Sequence, residues 1–279
     1  MIRIVVDSGA DYLPEELEEK QIEMVPLFVA FGEDVYRDGI EITREEFFDR
    51  LMRGKEFPHT SQPSPEAFLS LFEKAKERGD TVICITISSA LSGTLGSAAI
   101  AKGLADYEEI YLVDSRMASA GIQFLADQAV KMRGEGKDAA RIVEELERLR
   151  GRIRVYFVVD TLEYLYRGGR LSKSGSVAGK LMHMKPVLSL NEKGEVVVSE
   201  LCLGSARSIE ACVRHLKEEE PDMDFPVFSF CSSGLKNCER LEARLAGLGI
   251  RRPVRRQIGC VIGAHAGPGA AGTAFVKKE

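Results

Sequence analysis

Apolar and polar positions follow two different rhythms along the chain. In the first half, short apolar runs alternate with stretches whose apolar positions recur every three or four residues. That is the pattern of buried strands and amphipathic helices. Arg3–Val6 predicts a strand, Pro14–Lys20 a short helix and Met24–Phe31 a second strand. Thr43 and Glu46 form a capping-box pattern for a helix ending near Arg53. A helix starting at Pro65, with Ser64 before it as N-cap, leads to a continuous apolar run, Thr81–Ile87, that reads as a buried strand. A helix after Thr94, a strand Glu109–Val113 and helices over Met117–Met132 and Asp138–Leu149 follow. Buried strands alternating with helices predict a largely parallel α/β sheet.

The second half changes character. Arg154–Val159 predicts a strand, and Arg167–Lys180 is basic and rich in Gly and Ser. Pro186–Leu190 and Glu195–Glu200 alternate about Asn191-Glu192-Lys193-Gly194, which predicts a hairpin. Helices are expected over Ser205–Glu219 and Leu235–Leu245, and strands over Phe225–Phe230, Pro253–Ile258 and Gly272–Val276, the last two flanking a glycine-rich loop. Hairpin and helices together suggest α+β. The division falls near Gly151, giving an N-terminal α/β domain over 1–151 and a C-terminal α+β domain over 152–279.

Composition narrows the function. A net charge of -5 argues against a general nucleic-acid binder, and Arg251–Arg256 is read as a solvated loop and strand edge, with a partner contact as the alternative. The six cysteines show no C-x-x-C pair or zinc spacing, so no metal site is expected and they read as core residues of a reduced, cytoplasmic protein. The run Ile2–Val6 is too short for a signal peptide, and the longest apolar stretch, Thr81–Ala101, is interrupted by Ser88, Ser89, Ser92, Gly93 and Thr94; no membrane insertion is expected. A G-x-x-x-x-G-K-[ST] loop is absent, so ATP binding by that route is not expected.

Two hydroxyl-rich segments carry the chemistry: Thr60-Ser61-Gln62-Pro63-Ser64 and Ser88-Ser89-Ala90-Leu91-Ser92-Gly93-Thr94. Each lies where an extended run passes into a helix, so free N–H groups and hydroxyls meet there, without a Lys or Arg. Helix capping is the usual work of such serines, and the local sequence leaves capping and anion binding both open. Asp7-Ser8 and Asp114-Ser115 also end strands, as caps or as neighbours of the same site. His265, one of four histidines, lies in the glycine-rich stretch Gly259–Gly269, whose backbone can approach a ligand closely.

Seven segments resemble, in order, the DegV family of bacterial fatty-acid-binding proteins: Val6–Asp11, Thr60–Ser64, Leu91–Thr94, Val113–Ser115, Gly168–Arg170, Met184–Leu188 and His265–Gly269. The resemblance implies a two-domain α/β fold with a long-chain fatty acid such as palmitate as ligand and no cofactor. It implies that Ser61 and Ser92 hold the carboxylate, with Thr60, Gly93 and Thr94 as second candidates. His265 would lie by the head group, near a transferred phosphate. Arg170 would serve as a salt-bridge or anion contact. The implied partner is a separate fatty-acid kinase, the chain carrying acyl phosphate toward phospholipid synthesis without catalytic residues of its own.

Two departures stand out. Ala266 occupies a position that often carries Thr, and Leu203 stands where a Lys-Val-Arg segment commonly ends in Arg, which puts the phosphotransfer role in question. A lipid sensor or store without a kinase is one alternative. A serine acyl-hydrolase or acyltransferase is another: Ser92 would be nucleophile, with His265 and Asp7 or Asp114, although Leu91-Ser92-Gly93 is not the G-x-S-x-G elbow.

Overall fold

The computed structural model describes residues 1–54, 56–171 and 184–279. The stretch 172–183, with Ser172 and Lys173 of the basic section and His183, lies outside them.

Strands β1 (Ile2–Asp7), β2 (Ile22–Val25), β6 (Thr81–Thr86) and β7 (Ile110–Asp114) form a four-stranded parallel sheet in the order β2-β1-β6-β7. Its strands are buried on both faces, which is why they read as apolar runs. Val5, Val82 and Cys84 pack with Phe68 and Phe72 of α3 (Pro65–Arg78) and Ala98 and Ala101 of α4 (Thr94–Ala105). Ile4, Val6, Ile83 and Ile85 point the other way, toward Leu125 of α5 (Ala120–Gly134) and Leu146 of α6 (Ala139–Arg150).

The expected strand Met24–Phe31 is two strands. Pro26 offers no N–H to a ladder, and the N–H of Leu27 donates to Ser8 Oγ at 3.0 Å. The chain therefore leaves the parallel sheet. β3 (Phe28–Phe31) centres a small antiparallel sheet with β4 (Asp34–Arg37) and β5 (His59–Ser61).

The second half builds a six-stranded sheet in the order β10-β9-β8-β13-β11-β12, from β8 (Ile153–Val158), β9 (Met184–Leu190), β10 (Val196–Leu203), β11 (Phe228–Cys231), β12 (Val254–Gln257) and β13 (Ala271–Val276). All pairs are antiparallel except β11 with β12. The hairpin between β9 and β10 forms as expected, closed by Gly194 N–H to Asn191 O at 2.8 Å. Helices α8 (Gly204–Glu218) and α9 (Lys236–Gly247) cover one face through Ile209, Leu216, Leu241 and Leu245. The other face turns toward α5: Phe124 and Phe228 lie 4.7 Å apart between ring centroids. Helix α5 is thus shared by both sheets, and the space beside it is where the site forms.

All six cysteines are free and buried, and the segment Arg251–Arg256 is an exposed loop running into the edge strand β12. No helix among the described residues is long and apolar enough to cross a membrane.

Candidate functional site

Between the two sheets lies a cavity of about 320 Å³, within the size range of small-molecule sites. Its walls are mainly apolar. Leu27, Ile87, Leu91 and Ala118 come from the first half of the chain; Val155, Phe157, Leu165, Leu190, Val196 and Phe230 come from the second. Ile258, Val261, Ile262 and Ala266 complete it.

The polar lining includes Thr60, Ser61, Gln62, Ser92, Gly93, His265 and Arg170. These residues, far apart in sequence, are linked. Thr60 Oγ1 and His265 Nε2 are 2.8 Å apart. His265 Nδ1 lies against Gly168, where a Cβ would come within 2.1 Å of it. Arg170 donates through Nη1 to Gly168 O at 2.6 Å and through Nε to Leu91 O at 3.0 Å. That fixes the guanidinium one residue from Ser92. Ser92 Oγ and Thr94 Oγ1 are 2.8 Å apart. Gln62 packs over Gly93, where a Cβ would meet its Oε1 at 1.8 Å, and its Nε2 donates to Ser97 Oγ at 2.9 Å.

Several sequence expectations change here. Ser61 lies in β5, and the N-cap of α4 is Gly93, so neither Ser61 nor Ser92 caps a helix. The cradle is not free of cations, since Arg170 reaches it from a distant segment. Thr94 does not line the cavity; it is fully buried and holds Ser92. His265 sits in the last turn of a helix, α10 (Cys260–Ala266), where a glycine-rich loop was expected. That helix forms because Gly263 admits Phe47 and Phe48: a Cβ there would lie 2.7 Å from the Phe48 ring. A second missed helix, α7 (Glu163–Arg167), delivers Gly168 and Arg170 to the site.

Electrostatics favour a neutral histidine. Burial, reinforced by repulsion from Arg170, pushes His265 down to about 4. At neutral pH the ring is uncharged, Nε2 shares a proton with Thr60 and Nδ1 has no partner. The carboxylates are engaged elsewhere. Asp7 accepts from Gly9 N at 2.9 Å and Ile87 N at 2.6 Å. Asp114 accepts from Ser89 N and Oγ and from Arg116 N. Neither lines the cavity. Among the described residues no carboxylate orients His265 and no base contacts Ser92, so the arrangement lacks the geometry of a serine nucleophile.

Leu203, at the end of β10, is 58% exposed and lies outside the cavity wall. No cluster able to hold a metal occurs among the described residues.

Residues 1–278 match the DegV family, described as uncharacterised. A DegV domain-containing protein of Caldanaerobacter subterraneus subsp. tengcongensis is 38% identical over 285 residues, 99% of each chain. The fold is close to that of a DegV family protein from Thermus thermophilus for which fatty acid binding is described, with a TM-score of 0.90 and 31% identity over 99% of each chain. It is also close to a stearic acid-binding protein from Eubacterium ventriosum, with a TM-score of 0.87 and 30% identity over 100% of this chain and 99% of that one. Sequence similarity running from residue 1 to residue 278 and a fold shared over nearly the whole length establish that the chain belongs to the DegV family.

Proposed function

We propose that this protein binds a long-chain fatty acid, with its carboxylate among Thr60, Ser61 and Ser92 and its tail along the apolar walls of the cavity. One observation carries the reading: a mainly apolar cavity between two sheets that also gathers hydroxyls, a neutral imidazole and one guanidinium in its lining. The division of labour makes physical sense. Burying ~16 carbons contributes at most about 12 kcal/mol before ordering costs, so the polar lining need only offset desolvation of the head group. Thr94 and His265 orient the hydroxyls that touch it, and Arg170 supplies the charge complement. The fatty-acid-binding relatives of the same fold support this choice over other amphipathic acids.

In the same reading, the protein carries the acid to a separate fatty-acid kinase and does no chemistry itself. Exposed Ser61 and Gly93 support this, because they leave the head-group end open to solvent. The exposed Leu203 supports a second reading, a lipid store without that partner, since it alters a surface and leaves the pocket intact.

Denaturing extraction and mass spectrometry of the purified protein test the first claim. A near-stoichiometric long-chain fatty acid is expected, and Ser61→Ala with Ser92→Ala should weaken rebinding by about tenfold or more. A different acid in the cavity would overturn the lipid, and unchanged binding in the double variant would overturn the head-group placement.

A further inference from the structure

One pair of nucleophilic side chains lies outside the cavity and takes no part in fatty-acid binding. Cys231 ends β11, and Cys238 stands in the first turn of α9. Along β11, Phe228 points toward α5 and Phe230 into the cavity, so Ser229 and Cys231 point the other way, toward α9. On α9, Cys238 and Glu242 lie one helical turn apart, on the face turned to that strand. The contacts follow this register. Ser229 Oγ donates to Glu242 Oε1 at 2.7 Å, and Cys238 Sγ lies 3.6 Å from the same oxygen. One rung along, the Cys238 thiol donates to the Cys231 sulfur. Arg255, opposite Ser229 in β12, donates to Glu242 through Nε at 2.8 Å, which holds its guanidinium beside the pair.

The pair is polarised. The hydrogen bond from Cys238, with help from Arg255, holds the Cys231 thiol below its ordinary range, whereas the same bond and burial push the Cys238 thiol well above it. Burial raises the thiols of Cys84, Cys202, Cys212 and Cys260 as well. Cys231 is thus the one thiol of the six held toward its nucleophilic form. It is also within reach of small molecules, as part of the wall of an open groove of about 410 Å³ with Met52, Ser232, Ser233 and Arg255. The turn between the two cysteines is fixed: Ser232 N–H donates to Ala270 O at 3.0 Å and Ala270 N–H to Ser232 Oγ at 2.9 Å.

We propose that Cys231 and Cys238 form a redox site, a dithiol that a small hydroperoxide entering the groove oxidises reversibly to a disulfide. The Cys231 thiolate attacks one peroxide oxygen. An S–O bond forms, the O–O bond breaks and the departing oxygen takes a proton, leaving a sulfenic acid and, from hydrogen peroxide, water. Cys238 sulfur then attacks the oxidised sulfur: the S–S bond forms, the S–O bond breaks, and the hydroxide leaves with the Cys238 proton as a second water. The two thiols give up two electrons and the peroxide takes them. A dithiol reductant reverses the step by exchange. Such a bridge is of the transient, redox-sensing kind that reducing compartments permit. Because Phe230 faces the cavity and Cys231 faces away from it, the oxidant arrives from solvent, and the site does not depend on the fatty-acid reading.

The test is mass spectrometry of the full chain. Reduced protein is exposed to hydrogen peroxide, its remaining thiols are alkylated in denaturant, and trypsin, cutting after Lys236, puts Cys231 and Cys238 on separate peptides. A peptide pair bridged through these two cysteines is expected, formed at least about tenfold faster than any of the other four is oxidised, and dithiothreitol should remove it. In Cys238→Ser the reaction should stop at a Cys231 sulfenic acid, trapped with dimedone. In Cys231→Ser, Cys238 should stay reduced. No bridge in the parent protein, or a bridge that forms no faster than the other thiols are lost, would overturn the site whatever the stability of the variants. A dimedone adduct on Cys238 in Cys231→Ser, formed as fast as that on Cys231 in Cys238→Ser, would overturn the assignment of Cys231 as the attacking sulfur.

Discussion

Gly168→Ala isolates the contact that holds His265 against Thr60. The substitution asks nothing unusual of the backbone, since Gly168 has φ -73° and ψ -8° at the end of α7. Removing a glycine from such a position would ordinarily stabilise the protein by about 0.5–1 kcal/mol. Here the new Cβ would lie 2.1 Å from His265 Nδ1, 2.7 Å from Cε1 and 3.0 Å from Tyr164 O. The imidazole cannot stay where it is. Overpacking of this kind costs about 1–3 kcal/mol, and loss of the 2.8 Å bond to Thr60 costs about 1 kcal/mol more. The clash outweighs the backbone gain, for a net loss of roughly 1–3 kcal/mol. In a protein of this size that lowers the melting temperature by roughly 2–10 °C. Fatty-acid affinity should fall with it, by about tenfold, because Thr60 loses the group that orients it. Gly169→Ala is the control. Gly169 has φ +67°, with no atom of the described residues within 4 Å of its missing Cβ, so alanine should cost about 1–2 kcal/mol of strain and leave affinity alone. Differential scanning fluorimetry and calorimetric titration read both effects. A Gly168→Ala protein that melts at or above the parent temperature and binds equally well would refute the reasoning.

Thr94→Val removes a buried hydroxyl whose hydrogen bond, among the described residues, is to Ser92, and should weaken fatty-acid binding by about fivefold to tenfold in direct titration. Leu203→Arg, at an exposed position outside the cavity, should change affinity by no more than about twofold; transfer of phosphate from ATP to the bound acid by a fatty-acid kinase, gained only in this variant, would show that Leu203 is what withholds the partner. His265 gives a pH signature. Its folded value of about 4 lies below its ordinary 6.5, so the unfolded chain is protonated first as pH falls. Its contribution is complete above about pH 6.5 and is lost toward pH 4, by at most about 3 kcal/mol. Asp7 and Asp11, pushed up to about 7 by burial, act oppositely: their contribution is complete below about pH 4 and is lost as pH rises through 7. Urea titrations of the parent and His265→Gln should therefore converge in stability from pH 7 to pH 4.5, and parallel pH profiles would contradict the buried, neutral ring.

Much of the fold is legible because its signals are local. The strands β1, β6 and β7 are continuous apolar runs bounded by polar residues, and the Thr43–Glu46 capping box forms as its spacing predicts. The failures have physical causes. Pro26 divides an apolar run that otherwise reads as one strand, and the two parts enter different sheets. Helix α10 is hidden by its glycines, whose purpose is tertiary: Gly263 makes room for two phenylalanines more than 200 residues earlier. The site was half visible. Hydroxyl clusters and a histidine among glycines mark Ser61, Ser92 and His265 as unusual, but the bond joining Thr60 to His265 spans 205 positions and has no local signature. Arg170 looks like one more loop cation until the structure shows it bonded to backbone carbonyls at the cavity.

The position of β13 has a consequence for how the protein comes into being. This strand, fully buried, lies between β8 and β11 in the middle of the six-stranded sheet, although it follows β8 by more than 100 residues. Closing a loop of that length is slow, and the pairing it brings is entirely non-local. Until residues 271–276 arrive, β8 and β11 each present an unpaired edge, with Val155, Phe157 and Phe230 uncovered beside them. Such edges invite pairing with other chains. A nascent chain that stalls before that strand is therefore at its most aggregation-prone just when its first sheet is already complete, and a ligand of the cavity cannot rescue it, because β8 and β11, whose side chains line that cavity, are not yet held together.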